Sequence, residues 1–294
     1  MNSKTKKIVV ILSVFGIIGV SAAIYFLLYD KPEYRISRTI KYQYHIQNKS
    51  NKFIEQSEFW AYAPVPQTSN QRVDKIKSSY PFKSEYDKLG NHIQTFTIKN
   101  LAPFATKIIT LTVTLNMSAK ANRLELNNKK QFLSAERNIE SDNNMLISFS
   151  DNLIKQSSSD SAKVLFNWVS KNIKYEGYIK NDRGALYALN NRKGDCTEYS
   201  YLFTALLRAQ KIPTRVIGGY LYSEDKLLKP EDFHNWAEYY QGGRWIIADV
   251  QNANLNTKIE TFIAFRIISS DNNLKLGNSH RFAFSHPDIS VALK

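Results

Sequence analysis

Alternating apolar and polar residues dominate the chain from Ile36 to about Met117. One run alternates at every second position from Ile40 to Ile46, and another does so from Ile109 to Leu115. Period-two alternation of β-branched and aromatic residues is typical of half-buried strands. Proline and glycine residues lie between the two runs, as expected for turns. The pattern therefore predicts a small antiparallel β-sandwich over residues 31–118, followed by a polar connector over residues 119–131.

Helical spacing of apolar residues begins after the connector. Ser161–Tyr175 has an amphipathic pattern behind a Ser/Asp-rich start, which predicts a helix. A second helix is predicted after Asp195, which forms a capping-box pair with Glu198, and it ends at Lys211-Ile212-Pro213. Three strands are predicted next, with Gly242-Gly243 as a hairpin turn: Thr214–Tyr222, His234–Tyr240 and Arg244–Val250.

The N-terminus carries an uncharged, mostly apolar run from Ile8 to Leu28. A helix of that length is about 31 Å long, enough to cross a bilayer core of roughly 30 Å. Lys4, Lys6 and Lys7 precede the run, so the positive-inside rule places the N-terminus in the cytoplasm. We therefore predict a single-pass protein of the cytoplasmic membrane, anchored through residues 8–28, with everything after Lys31 periplasmic or extracellular.

A cleaved signal peptide is the alternative for the same segment. Val20-Ser21-Ala22 offers small residues suited to cleavage. The apolar run nevertheless continues through Ile24–Leu28, which a retained anchor explains better.

Composition and charge narrow the class of protein. Hydrophobic residues make up 43% and charged residues 22%, which is ordinary for a folded protein. The net charge is +14, but the basic residues are scattered and form no stripe with interleaved aromatics. No nucleic-acid partner is therefore predicted. Attraction to an anionic membrane surface fits the charge better, although a lysine-rich solvated surface explains it more simply.

Cys196 is the only cysteine of the chain. A lone cysteine forms neither an internal disulfide nor a cysteine-rich metal site, which leaves an inert thiol, an intermolecular bridge or a nucleophile. With Asp195 as N-cap, Cys196 becomes the first residue of a helix. The positive end of the helix dipole favours a thiolate there, and the free backbone N–H of Cys196 is a candidate oxyanion donor.

A thiolate nucleophile also needs a proton-transfer partner. His234 opens the segment His-Asn-Trp-Ala-Glu at the start of one predicted strand, and Asp249 ends the next strand. Because the two strands form a predicted hairpin, the imidazole and the carboxylate are expected to meet. The carboxylate would then fix the tautomer of the imidazole and stabilise its protonated form.

Several short segments in one order carry a resemblance to a known family. They are Trp168-Val169, Ile173–Tyr175, Gly194–Tyr199, Leu206–Ala209, Ile212–Val216, Gly218–Tyr220, His234–Glu238 and Trp245–Asp249. Together they resemble the transglutaminase-like superfamily, a papain-like group of Cys-His-Asp enzymes. The resemblance covers residues 132–294 and is strongest over 161–250, whereas the papain signature Cys-Gly-Ser-Cys-Trp is absent.

The resemblance implies a fold and a set of roles. The fold is α+β: a papain-like transglutaminase core, with the cysteine helix packed on an antiparallel sheet, behind the β-sandwich and the transmembrane helix. Cys196 is the implied nucleophile, His234 the general base and acid, and Asp249 its orienting carboxylate. Tyr175 and Asn190 are candidates for the second oxyanion donor.

No metal or cofactor is predicted. Asp271–Lys275 lacks the glycine and carboxylate spacing of an EF-hand loop, so calcium dependence is not indicated. The remaining histidines are too isolated to suggest metal ligands: His45, His92, His280 and His286.

The expected chemistry is attack of the Cys196 thiolate on an amide of an exported peptide or protein. The product is a thioester, which water resolves in a protease or amidase and an amine resolves in a transglutaminase. The sequence leaves both open. A catalytically inactive envelope binding or scaffold module with a relict triad is the alternative from another class.

Overall fold

Strands carry the alternating pattern of the N-terminal part. The computed structural model describes residues 32–222, 227–270, 275–276 and 281–294. The predicted membrane segment, residues 271–274 of the segment tested for an EF-hand, and His280 lie outside these ranges. The first six strands are β1 (Ile36–Asn48), β2 (Ile54–Ala63), β3 (Gln71–Ser78), β4 (Lys83–Tyr86), β5 (His92–Leu101) and β6 (Thr106–Met117).

Helices and short strands follow these six strands. The helices of the described residues are α1 (Asn144–Lys155), α2 (Ser161–Asn172), α3 (Ala185–Asn191) and α4 (Cys196–Ala209). The later strands are β7 (Lys174–Tyr175), β8 (Lys193–Gly194), β9 (Thr214–Leu221), β10 (Phe233–Gln241), β11 (Arg244–Asp249), β12 (Asn254–Leu255), β13 (Phe262–Ile268), β14 (Phe282–Phe284) and β15 (Ile289–Leu293). No helix among the described residues is long and apolar enough to cross a membrane.

The predicted helix over Ser161–Tyr175 is three residues too long. Helix α2 ends at Asn172, and its C-cap, Ile173, already has extended backbone angles. The next two residues form β7, which pairs in parallel with β8 just before Cys196. The apolar spacing continues past Asn172, but the backbone of β7 bonds to a neighbouring strand instead of to the helix.

Two four-stranded antiparallel sheets form the sandwich. Their strand orders are β15-β1-β6-β3 and β14-β2-β5-β4. Buried side chains of β1, β2, β5 and β6 fill the space between the sheets. The Tyr44 ring, for example, meets the Phe59 ring edge-on at 4.8 Å between centroids. The predicted α+β fold with N-terminal β-sheets is thus present.

The edge strands β14 and β15 come from the C-terminal part of the chain. Phe282 pairs with Ala61 of β2, and Leu293 pairs with Tyr44 of β1. Both strands fall within residues 132–294, the region over which the sequence resembles the transglutaminase-like superfamily. Alternation of apolar and polar residues reveals which side of a strand is buried, but not which distant strand pairs with it. The pairing of β14 with β2 and of β15 with β1 was therefore not predicted.

A five-stranded antiparallel sheet, in the order β12-β11-β10-β9-β13, supports the helices. Helix α4 packs on one face, where Leu202 and Leu206 meet Ala237 and Tyr239 of β10 in a shared core. The other face contributes Trp236 and Phe262 to a second core. The predicted arrangement of a cysteine-bearing helix on an antiparallel sheet is thus present.

The sandwich and the five-stranded sheet share buried contacts. The Phe265 ring of β13 meets the Tyr42 ring of β1 at 5.6 Å between centroids. The Gln71 side chain donates from Nε2 to the Ala264 carbonyl at 2.9 Å. Residues Tyr34–Lys294 accordingly form one compact unit.

Gly219 of β9 offers a test of how tightly the five-stranded sheet is packed. A Cβ at this position would lie 2.1 Å from the Ile263 carbonyl oxygen of β13, a backbone atom. We expect Gly219→Ala to lower the free energy of unfolding by about 3 kcal/mol or more, since the strands must separate to relieve the overlap. Gly218→Ala should cost far less, because its Cβ meets only side-chain atoms, at 3.1 Å or more. Urea denaturation measures both, and equal losses would contradict this packing.

Candidate active site

Helix α4 begins with the capping box predicted from the sequence. Asp195 is the N-cap, and its Oδ1 accepts a hydrogen bond from the Thr197 N–H at 2.8 Å. In return, Glu198 Oε2 accepts from the Asp195 N–H at 3.1 Å. Cys196 is therefore the first helical residue, and it is a free, partly exposed thiol. Its position combines the positive end of the helix dipole with access for a substrate.

His234 and Asp249 meet across the β10–β11 hairpin. His234 is the second residue of β10, and Asp249 is the last residue of β11. The imidazole Nε2 donates to Asp249 Oδ1 at 2.9 Å. Both side chains are buried, so this hydrogen bond is shielded from water. The sequence-based expectation that the hairpin joins these two residues agrees with this geometry.

The His234 imidazole also interacts with the Cys196 side chain. Because Nε2 is taken by Asp249, Nδ1 is the nitrogen left for the sulfur. Burial on its own would lower the pKa of His234, but the interactions with Asp249 and Cys196 outweigh it and raise the pKa to about 9. At neutral pH the ring thus holds a proton on each nitrogen and donates towards both the carboxylate and the sulfur.

Asn252 is a part of the site that sequence reasoning missed. Its Nδ2 donates to Asp249 Oδ2 at 2.8 Å, and its backbone N–H donates to Asp249 Oδ1 at 3.3 Å. Both oxygens of the carboxylate are thereby held, with Oδ1 towards His234. The spacing of three residues between Asp249 and Asn252, directly after a predicted strand, is the feature that could have indicated such a turn.

The segment between β7 and α3 is fastened to the start of α4. The Ile179 N–H donates to Asp195 Oδ2 at 2.9 Å, and the Arg183 N–H donates to Glu198 Oε1 at 2.8 Å. Burial raises the pKa of Glu198 to about 7, and the charge of Asp195 adds to the shift, while the backbone hydrogen bonds from Arg183 and Asp195 oppose it. The same two carboxyls thus cap the cysteine helix and hold the segment beside it.

The two further oxyanion candidates lie at different places. Tyr175, in β7, pairs through its backbone with Gly194, two residues before Cys196, and its side chain is half-exposed. Asn190 lies near the end of α3 with an exposed side chain. No hydrogen bond among the described residues joins either side chain to Cys196, His234 or Asp249. Their role as donors stays a prediction.

The glutamate of the His-Asn-Trp-Ala-Glu segment supports the sheet. Glu238 Oε2 accepts from both Nε and Nη2 of Arg215, at 2.8 and 2.6 Å, and all these atoms are buried. The Arg215 guanidinium also lies 4.1 Å above the Trp245 ring centroid. This ion pair links β9 to β10 and holds the strand that carries His234.

The central region of the chain is similar to a known protein family. Residues 148–250 match the core of the transglutaminase-like superfamily. No curated protein sequence matches the chain significantly.

Solved structures with a similar fold include a candidate cysteine protease from Cytophaga hutchinsonii. It shares 17% identity at a TM-score of 0.58, over 88% of this chain and 92% of that one. The periplasmic domain of TgpA from Pseudomonas aeruginosa aligns at 14% identity and a TM-score of 0.38, over 74% of this chain and 91% of that one. The cysteine-bearing helix on an antiparallel sheet agrees with the match of residues 148–250 to the transglutaminase-like superfamily.

Proposed function

We propose that the protein is a thiol-dependent enzyme that acts on amide bonds of peptides or proteins through a thioester on Cys196. The observation that carries the proposal is the placement of three side chains. The His234 imidazole interacts with Cys196 and is held by Asp249, whose Oδ1 lies 2.9 Å from Nε2. Cys196 is the first residue of a capped helix, where a sulfur anion is stabilised.

In this proposal, acylation begins at the Cys196 sulfur. The sulfur attacks the amide carbonyl carbon, and the carbonyl oxygen becomes an oxyanion that accepts a hydrogen bond from the Cys196 N–H. His234 then gives its Nδ1 proton to the amide nitrogen, the C–N bond breaks, and an amine leaves. A thioester remains on Cys196, and His234 is left neutral, with Asp249 still holding its Nε2–H.

Deacylation reverses the roles of the imidazole. Neutral His234 takes a proton from water or from an amine as that nucleophile attacks the thioester carbonyl carbon. The C–S bond then breaks, and the Cys196 thiolate leaves beside the protonated imidazole. Water gives a carboxylic acid and makes the enzyme a protease or amidase, whereas an amine gives a new amide and makes it a transglutaminase. The Cytophaga protein of similar fold is described as a candidate cysteine protease, which favours hydrolysis as the first reaction to test.

The same proposal includes a location. The apolar run Ile8–Leu28 with its preceding lysines supports an anchor in the cytoplasmic membrane, with the site on the outer side. Peptides or proteins outside the cytoplasm are then the substrates.

The rate of Cys196 alkylation tests the proposal without a known substrate. We expect iodoacetamide to react with Cys196 at neutral pH on the order of 10-fold or more faster than with free cysteine, because the protonated imidazole stabilises the thiolate. His234→Ala should remove this advantage. Intact-protein mass spectrometry over time measures both rates. If the thiol reacts like free cysteine and is indifferent to His234→Ala, the protein is a binding module with a relict triad.

Incubation with a glutamine-containing peptide and a tagged amine separates the two acyl acceptors. Incorporation of the tag would identify transfer, and cleavage or deamidation without incorporation would identify hydrolysis. The Cys196→Ala variant is the negative control, and it should form neither the tagged nor the hydrolysed product.

A further inference from the structure

A second hydrogen bond joins the cysteine helix to the histidine strand. Asn235 Nδ2 donates to Thr197 Oγ1 at 2.9 Å, between residues 38 positions apart in the sequence. Thr197 directly follows Cys196, and Asn235 directly follows His234. Both residues are buried, with 6% and 3% of their surface exposed. The bond therefore lies one residue from each of the two groups that exchange a proton.

Each partner is itself held in place. The Thr197 N–H is bound by the capping Asp195, so its position in the first turn of α4 is fixed. Asn235 pairs through its backbone with Gly218 of β9. The missing Cβ of Gly218 leaves room for the amide, since an added Cβ would lie only 3.1 Å from Asn235 Oδ1. The bond thus connects two rigid elements and not two mobile side chains.

Stability alone does not explain an asparagine at this position. Asn235 Oδ1 is buried and has no hydrogen-bond partner among the described residues. An unpaired buried carbonyl costs free energy, and an apolar side chain of similar size would avoid that cost. What the amide supplies in return is its single bond to Thr197.

We propose that the Thr197–Asn235 hydrogen bond is a positioning tether that keeps the distance and orientation between Cys196 and His234 constant while the sulfur reacts. The direct link between the two groups is a thiol–imidazole contact, which involves a weak hydrogen-bonding atom. That link is lost when the sulfur bonds to the acyl carbon, whereas the tether one residue away is unchanged. Misplacement of a reacting group by 1 Å costs about 100-fold in rate. The inference rests on the proposed function.

The helix supplies a matched pair of threonines for the experiment. Thr204, like Thr197, is a buried threonine of α4, but its hydroxyl has no hydrogen-bond partner among the described residues. Thr197→Val and Thr204→Val remove the same atom and replace it with a methyl group of the same size. Only the first breaks the tether. Thr197→Ser keeps the hydroxyl and serves as the rescuing variant.

We expect Thr197→Val to slow the alkylation of Cys196 at neutral pH by about 10-fold, and Asn235→Val to slow it by the same factor. The double variant should be no slower than either single variant, because both remove the same hydrogen bond. The NMR titration of His234 should move towards the ordinary histidine pKa in the same variants. Thr197→Ser and Thr204→Val should stay close to the wild type in both measurements, and urea denaturation shows that each variant is folded.

Two results would contradict the proposed tether, and they separate its failure from a failure of the proposed function. If His234→Ala slows alkylation but Thr197→Val changes neither the rate nor the His234 titration, the bond serves stability only and the proposed function stands. If His234→Ala has no effect on alkylation, the proposed function fails and the tether fails with it.

Discussion

Replacement of Cys196 by alanine should lower amide-bond turnover by about 10⁶-fold, the loss seen when the nucleophile of a catalytic triad is removed. No covalent intermediate can form without the sulfur, and only substrate binding and the backbone N–H at the start of α4 remain. The side chain is partly exposed and lies at the first helical position, so its removal leaves little cavity. The measurement is turnover of a peptide substrate, together with intact-protein mass to detect the acyl-enzyme.

The fold of the Cys196→Ala variant is the control for that loss. Its unfolding free energy in urea should match that of the wild type, because the capping box does not involve the thiol. The pKa of His234 should fall below about 9, since the contact with Cys196 is one of the causes that raise it. A variant that keeps more than about 1% of wild-type turnover would place the nucleophile elsewhere.

Asp249→Asn is expected to lower turnover by about 10⁴-fold without unfolding the protein. The carboxylate accepts from three N–H groups: Oδ1 from His234 Nε2 and the Asn252 backbone, and Oδ2 from the Asn252 side chain. An asparagine in its place offers one oxygen and one NH₂ group. If the NH₂ group faces His234, Nε2 must become an acceptor, and the ring proton moves to Nδ1. That tautomer cannot take a proton from the nucleophile.

The same substitution has a predicted effect on pH dependence. The hydrogen bond and charge of Asp249 raise the pKa of His234, so the imidazolium that protonates the leaving amine persists up to about pH 9 in the wild type. Turnover should therefore fall as the pH rises through about 9. Without the carboxylate the pKa of His234 is lower, and this alkaline limit moves towards neutral pH.

Asn252→Ala is the matched comparison for Asp249→Asn. It removes one donor to the carboxylate but keeps the charge and the His234–Asp249 bond. A much smaller loss of turnover is expected, with the alkaline limit close to its wild-type position. Equal losses in the two variants would mean that the orientation of Asp249, and not its charge, decides the tautomer.

Local spacing in the sequence was enough to place Cys196 at the start of a helix. Asp195 and Glu198, three residues apart, predicted the capping box that the structure contains, because both bonds close within one helical turn. The Gly242-Gly243 turn likewise predicted a hairpin, and with it the proximity of His234 and Asp249. Each inference needed only neighbours in the chain or across one tight turn.

Contacts between distant segments were beyond the sequence patterns. Helices α1 and α3 and strands β13, β14 and β15 were not predicted. Two hydrogen bonds depend on how segments far apart in the sequence pack together: Asn235 to Thr197, and Ile179 to Asp195. Periodicity shows which face of an element is buried, but it does not identify the partner that buries it.

The pairing of β14 and β15 with β2 and β1 sets an order of assembly. The two N-terminal sheets are synthesised before residues 148–250, but they are completed by strands made after that region. Until those strands arrive, β1 and β2 each have an open edge that could pair with another chain. Closure of the first sheets thus requires that Cys196, His234 and Asp249 have already been made. A chain interrupted before β14 would be left with exposed strand edges, open to aggregation and proteolysis.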